Sequence, residues 1–266
     1  MFLHKMKFKC IAALAAILAA AMLCASVSAE SMGWYCVHVK DHKQPTADAR
    51  LAEVERHGAY YIDHNNTSPT SENKVVYLTF DAGYCNENLE KIIDVLAAEQ
   101  VTGAFFILGN LAKSNPDTVK RMADGGNLVC NHTYTHKNMS DKPLDELAAE
   151  LKRLEDECKV SAGVEVAKYF RPPEGKFSTQ MLDNAVKLGY KTVFWSFAYA
   201  DWDNNRQMSA DKARAKIMDN IHNGAVILLH PTSATNAQIL GDVIRELKAD
   251  GYRFGTLDEL TGGQNA

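Results

Sequence analysis

From Lys74 onward, apolar runs alternate with amphipathic stretches. The runs are Lys74–Asp81, Gly103–Gly109, Asn127–Thr133, Ala167–Pro173, Lys191–Phe197 and Ala225–Pro231, with a weaker one at Tyr252–Thr256. They are rich in Val, Ile, Phe, Tyr and Leu, as strands of a parallel sheet are when both faces are covered. Between them, residues 88–100, 116–124, 143–160, 178–188, 209–222 and 236–250 carry the helical period. Asn115-Pro116 reads as an N-cap followed by proline at the first helical position, and Ser178 and Ser209 read as further caps. Gly125, Gly189, Gly224 and Gly251 stand where helices should stop. The expected fold is α/β, a distorted (β/α) barrel of about seven parallel strands, with a doubly wound open sheet as the alternative. No GxGxxG or P-loop follows any strand, which counts against nucleotide folds.

The flanks differ from this core. Residues 30–72 are polar, carry Pro45 and Pro69, and include the tract Asp63–Ser68, so they read as an N-terminal extension with little regular structure. Residues 73–261 then form the main domain and 262–266 a loose tail. At the start, Lys5, Lys7 and Lys9 precede the apolar run Ile11–Leu23, and Val27-Ser28-Ala29 offers a cleavage site before Glu30. This is the pattern of an export signal over residues 1–29. The run is shorter than the roughly 20 residues of a membrane span, and an uncleaved N-terminal anchor is the alternative. The bulky pair Met22-Leu23 before Cys24 counts against a lipoprotein signal. The expected location is the cell envelope or the extracellular space.

Losing three lysines and no acid with that segment takes the formal charge from −4 to −7, which argues against a nucleic-acid partner. Nothing in the sequence marks a protein partner. Cys36, Cys85, Cys130 and Cys158 remain, and four cysteines allow three full pairings. Disulfides and buried free thiols both stay open, and Cys85–Cys130 is a bridge that adjacent strand ends would permit. The absence of CxxC counts against a zinc ribbon or a thioredoxin-like site.

Chemistry concentrates where the strands end. The runs finish on Asp81, on Asn131-His132, on Arg171-Pro172-Pro173, just before Asp201-Trp202, and on His230-Pro231. In parallel α/β proteins those C-terminal ends share one face, and active sites are built there. His132 and His136 are four apart, so a helical turn after the strand would put both imidazoles on one face, able to hold a metal ion. His38 and His42 have the same spacing but no strand end, and read as solvated surface; His57, His64 and His222 read as structural. Arg171 stands before two prolines that stiffen the backbone, a platform from which a guanidinium can hold a carboxylate. Asp201 and His230 can pair as carboxylate and imidazole. Nothing in the sequence lowers the thiol pKa of Cys85 or Cys130 enough to make a nucleophile.

Five ordered segments resemble the motifs of polysaccharide deacetylases, carbohydrate esterase family four. They are Thr79-Phe80-Asp81, Asn131-His132-Thr133-Tyr134-Thr135-His136, Arg171-Pro172-Pro173-Glu174-Gly175, Asp201-Trp202 and Leu228-Leu229-His230-Pro231, and the match covers residues 74 to about 260. The longer strings TFDAGY, FWSFAYADWDNN, ILLHPTSATN and GYRFGTLDEL are similar to one branch, the delta-lactam-biosynthetic de-N-acetylases. That resemblance implies removal of the acetyl group from N-acetylmuramic acid in peptidoglycan glycan strands, toward the muramic lactam of spore cortex. It implies Asp81 as general base, oriented by Arg171, and His230 as general acid, tuned by Asp201. It further implies a metal on His132 and His136, an oxyanion contact from the Glu174 backbone N–H, and a groove walled by Trp202 and Leu228. Amide hydrolysis needs these parts: an activated water, a polarised carbonyl and a proton for nitrogen.

Ala82 departs from the family, most of which has a second aspartate there as a metal ligand. A methyl group cannot ligate, and catalytic zinc usually has about three protein ligands, so a divalent ion, zinc by family habit, should bind weakly. Two other readings stand: a deacetylase of N-acetylglucosamine polymers, and a catalytically impaired glycan-binding protein. Retention of both Asp81 and His230 counts against the second.

Overall fold

The nine-residue strand Lys74–Ala82 is the spine of the fold in the computed structural model, which describes residues 30–262. The proposed export segment and the final residues 263–266 lie outside the described residues. Eight strands form one sheet: β1 (Ala59–Tyr60), β2 (Lys74–Ala82), β3 (Ala104–Ile107), β4 (Leu128–Asn131), β5 (Ala167–Phe170), β6 (Lys191–Val193), β7 (Ala225–Leu229) and β8 (Tyr252–Phe254). Their order is β7-β2-β3-β4-β5-β6-β1, every pairing is parallel, and β8 lies beside the first residues of β2. Beyond β6 the chain swings back to β7. Ser196 N–H donates to Val226 O at 3.0 Å, and Leu228 N–H donates to Phe197 O at 2.9 Å. Phe197 and Ile227 form a parallel bridge, so the sheet curls round to meet its own edge. This is the distorted barrel expected from the strand pattern. The eighth strand, β1, comes from the segment read as an extension.

The period of two along β2 sorts its side chains. Val75 and Tyr77 join Phe106, Cys130, Tyr169, Val193 and Val226 in one buried cluster. Val76, Leu78, Phe80 and Ala82 instead pack with helical residues such as Leu89, Ile92, Ile239 and Val243. Asp81 therefore continues the Val75–Tyr77 series, and Ala82 belongs to the helix-facing layer.

The helices are α1 (Glu87–Ala98), α2 (Gly109–Ser114), α3 (Pro116–Asp124), α4 (Leu144–Glu157), α5 (Thr179–Lys187), α6 (Ala210–Met218), α7 (Ala234–Ala249) and α8 (Leu257–Leu260). Ser178 caps α5 by accepting from Met181 N–H, whereas Asn115 and Ser209 make no side-chain cap bond. The expected helix over 143–160 ends as an α-helix at Glu157 and widens into a π-turn over Cys158–Ala162 before left-handed Gly163. Helix α2 was not anticipated, because its six residues are too few to show a period.

Residues 31–72 are far more ordered than their composition implies. Trp34, Leu51, Val54, Tyr61 and Ile62 are buried with Phe170, Phe177 and Phe194. Trp34 stacks on Phe194 at 4.7 Å and donates its indole N–H to Trp195 O at 2.9 Å. The polar tract is consumed by tertiary bonds: Asp63 accepts from the Tyr77 hydroxyl and from Asn66 Nδ2, both at 2.7 Å. Gln44 Nε2 donates to Asp63 O at 2.8 Å and to Asn223 O at 2.9 Å. Met32–Gly33 pairs antiparallel with Lys176–Phe177, directly after the Arg171–Gly175 stretch.

The four described cysteines are free thiols. Burial pushes the Cys36 and Cys158 thiols up to about 12. Cys130 sits in the barrel interior while Cys85 Sγ faces Glu90 and Thr118, so no Cys85–Cys130 bridge forms.

Two outcomes test this packing. Trp34→Ala should lower unfolding free energy by about 3–5 kcal/mol, the scale of emptying a buried tryptophan site, as read from urea denaturation. A loss below about 1 kcal/mol would show that the segment is not part of the core.

Candidate active site

Arg171 leaves the end of β5 with no exposed surface, and every nitrogen of its guanidinium is hydrogen-bonded. Nε donates to Val193 O at 2.8 Å, Nη2 to Thr79 Oγ1 at 2.9 Å and Phe194 O at 3.1 Å, and Nη1 to Asp81 Oδ1 at 2.9 Å. The Thr79 hydroxyl in turn donates to Ile227 O at 2.6 Å. The guanidinium carbon lies 4.1 Å from the centre of the Phe106 ring. Burial opposes the charge on Asp81, but the Arg171 cation, helped by His132 and His230, outweighs it and holds the carboxyl below its ordinary value.

His132 ends β4 with Nδ1 2.7 Å from Arg171 O, and its Nε2 lies 3.5 Å from Asp81 Oδ2. A ring whose Nδ1–H donates to a carbonyl keeps its lone pair on Nε2. Burial lowers its pKa to about 4, with Asp81 opposing and His136 adding to the shift, so the ring is neutral near pH 7. The His136 ring lies 5.0 Å away, centre to centre. The helical turn expected to bring the two together is absent. Residues 132–137 form a loop in which Thr133 (φ 69°) and His136 (φ 59°) are left-handed. Asn131 Oδ1 accepts from Thr133 N–H at 2.9 Å, Thr133 Oγ1 from His136 N–H at 3.0 Å, and Glu150 Oε2 from the N–H groups of Tyr134 and Thr135 at 3.1 and 2.9 Å. A buried β-branched residue at positive φ costs on the order of 1–3 kcal/mol, held here by these bonds.

Across the cavity, His230 Nδ1 is 2.7 Å from Asp201 Oδ1, and the His230 backbone N–H donates to Asp201 Oδ2 at 2.8 Å. Burial acts against the imidazolium, but the Asp201 hydrogen bond and charge, with Asp81, overcome it and raise the His230 pKa. The cavity between these groups has a volume of about 490 Å³. Asp81, His132, His136, Glu174, Trp202, Leu228 and His230 all line it. Glu174 sits at φ 58°, ψ 12° in the turn after the prolines, its carboxylate paired with Lys176 at 2.6 Å. Leu228 is buried, whereas Trp202 is 61 % exposed on the rim. Arg171 and Asp201 lie behind their partners.

His38, His42, His57, His64 and His222 do not line the cavity. His42 meets Ile221 O at 2.8 Å, His57 meets Asp183 at 2.7 Å, His64 meets Glu55 at 2.6 Å, and buried His222 meets Ser196 Oγ at 2.9 Å. Sequence reasoning missed Thr79, whose place on the Asp81 face of β2 was its one signal. It also missed further lining residues, among them Trp195, Tyr199 and Tyr84, the last accepting from Asn204 Nδ2 at 2.7 Å.

The neutral, carbonyl-oriented His132 beside His136 is a donor pair of the kind that holds a divalent ion. Among the described residues no group of three or more His, Cys, Asp or Glu side chains is arranged to hold one. Ala82 is buried in the helix-facing layer and does not line the cavity. The residues fit attachment at two imidazoles and no more.

Comparison with known proteins finds one family. A family model described as polysaccharide deacetylase matches residues 68–193. The chain is 36 % identical over 258 residues to the peptidoglycan N-acetylmuramic acid deacetylase PdaA of Bacillus subtilis, covering 96 % of each chain. The solved structure of PdaA, described as a family 4 carbohydrate esterase, superposes with a TM-score of 0.81 over 88 % of this chain and 97 % of that one. A peptidoglycan N-acetylglucosamine deacetylase of Bacillus cereus is 35 % identical over 189 residues, 70 % of this chain and 67 % of that one.

Calorimetric titration of zinc into the chelator-treated protein should show weak binding that is reversed by chelator. His132→Ala and His136→Ala should each weaken it further by about tenfold or more. Equal affinity in parent and variants would mean that the ion sits elsewhere.

Proposed function

The chain belongs to the polysaccharide deacetylase family, and on that premise we propose that it removes N-acetyl groups from the N-acetylmuramic acid residues of peptidoglycan. The observation that carries this reading is a pair of oppositely tuned ion pairs facing one cavity: Asp81 favoured as the anion by Arg171, His230 favoured as the cation by Asp201.

In this scheme Asp81 takes a proton from water as the water oxygen bonds to the acetyl carbonyl carbon. Its Oδ1 is fixed by Arg171, which leaves Oδ2 to act. The negative charge that develops on the carbonyl oxygen is met by the backbone N–H of Glu174. His230 has Nδ1 committed to Asp201, so Nε2 is the atom that delivers a proton to nitrogen as the carbon–nitrogen bond breaks, giving acetate and a free amine. A divalent ion, when bound at His132 and His136, supplies Lewis acidity toward the carbonyl. Trp202 and Leu228 wall the space for the acetyl group.

The muramic assignment is supported by the near full-length match to a muramic acid deacetylase, and a place in delta-lactam formation of spore cortex rests on the resemblance of strings such as TFDAGY and FWSFAYADWDNN to that branch. The match to a glucosamine deacetylase supports the second reading, in which the acetyl group leaves N-acetylglucosamine. A glycan-binding protein without catalysis is disfavoured because both ion pairs are intact. Glycan strands lie outside the cytoplasmic membrane, so the reading requires export through residues 1–29. Among the described residues no helix is long and apolar enough to cross a membrane.

Mass spectrometry of muramidase-digested peptidoglycan treated with the chain from residue 30 decides the substrate. Loss of acetyl from muramic residues is expected; loss from glucosamine alone selects the second reading. Asp81→Asn and His230→Ala should each cut acetate release by about a hundredfold or more while remaining folded. Near-parental turnover in either would sink the assignment. The acid form of His230 is the active one, so activity holds below its raised pKa and falls as pH climbs through it. Asp201→Asn removes the charge that raises it, and the alkaline limb of the pH profile should move to lower pH. An unmoved limb would assign that ionisation to another group.

A further inference from the structure

We propose that Asn236 is a positioning residue that sets the geometry of the His230–Asp201 pair. The inference rests on the reading of His230 as general acid. Asn236 is fully buried at the third residue of α7. Its Nδ2 donates to Asp201 Oδ2 at 2.6 Å and to the carbonyl oxygen of His230 at 3.1 Å, so one amide ties both members of the pair. Both of those atoms can only accept, which fixes the NH₂ end of the amide toward them. The Oδ1 end then requires a donor, and the buried Tyr199 hydroxyl supplies it.

The consequence falls on the plane of the Asp201 carboxylate. Rotation about a carboxylate's terminal torsion is soft, so one hydrogen bond to Nδ1 does not fix it. Here Oδ2 takes two donors, Asn236 Nδ2 and the His230 backbone N–H at 2.8 Å, and Oδ1 is left facing Nδ1 at 2.7 Å. That orientation leaves the opposite ring nitrogen, Nε2, for the cavity. Asn236 is itself located by its backbone N–H, which donates to Ser233 Oγ at 3.1 Å at the start of α7. The charged groups acting on His230 are Asp201, Asp81 and Arg171. Asn236 adds hydrogen bonds without adding charge, which a carboxylate of the same shape could not do. A residue that served only to cap α7 would have no need to reach Asp201.

The test reads the His230 Nδ1 proton directly. A proton held between that nitrogen and a carboxylate oxygen gives a far-downfield proton resonance at low temperature, assigned by its loss in His230→Gln. In Asn236→Leu, which fills the space and excludes a replacing water, the resonance should broaden or vanish. The kcat for acetate release should fall about tenfold, the scale of one hydrogen bond to a charged group, with KM unchanged. Asn236→Ala, which a helix accepts readily, serves if the leucine variant does not fold. Tyr199→Phe should change both readouts in the same direction and by less. A folded Asn236 variant that keeps the resonance and kcat, whatever its melting temperature, overturns the proposal, as does a parent protein lacking the resonance. The resonance is read without substrate, so a parent that releases no acetate defeats the deacetylase reading while leaving this test intact.

Discussion

The buried guanidinium of Arg171 is the constraint on which the rest of the site depends. A cation with no exposed surface is tolerable only if its donors are met and its charge is opposed. Four bonds, two to β2, one to the last residue of β6 and one to the residue after it, engage all three nitrogens, and Asp81 opposes the charge. Removing one partner of such a pair typically costs about 3–5 kcal/mol, because the other charge is left stranded. The same guanidinium keeps Asp81 ionised and its oxygens in fixed directions, while the Arg171 carbonyl selects the His132 tautomer. One residue thus sets a carboxylate's charge and an imidazole's lone pair.

The N-terminal segment supports that arrangement from outside. Trp34 stacks on Phe194, whose carbonyl accepts from Arg171, and donates to Trp195 O, whose ring lines the cavity. Met32–Gly33 is paired with the strand that follows the Pro173–Gly175 turn, and Trp34 N–H donates to Gly175 O at 2.9 Å. The left-handed Glu174 is therefore held between a proline-stiffened entry and a paired exit. Segments distant in sequence share the cost of keeping the rim in shape.

The two sides of the cavity use opposite electrostatic means. On one side a buried cation favours the anionic form of a carboxyl; on the other a buried carboxylate favours the cationic form of an imidazole. Burial works against the charge in both cases and is overcome by a neighbour at hydrogen-bond distance. The charged partners stand back from the cavity, so each cavity-facing group keeps one atom outside its ion pair, Asp81 Oδ2 or His230 Nε2. Thr133 and His136, left-handed beside them, mark where the backbone departs from its preferred conformations to bring two imidazoles together.

Much of this was legible in the chain itself. Short apolar strands separated by amphipathic helices imply a curled parallel sheet, because covered strands and one-faced helices have few other ways to bury their surfaces. Asp81, His132, Arg171 and His230 could be placed on one rim since every parallel strand must end on the same face. The expected helical turn between His132 and His136 failed, because local spacing cannot foresee a loop stabilised by Glu150 from another helix. Residues 31–72 looked loose for the same reason: Asp63, Gln44 and Trp34 find their partners only across the fold. The cysteines stayed undecided until distance separated Cys85 from Cys130. Sequence by itself determined the period of each element and hence which groups could share a face. Tertiary structure alone decided which of those groups touch, because contact and burial, and the charge states that follow from them, belong to pairs of residues far apart along the chain.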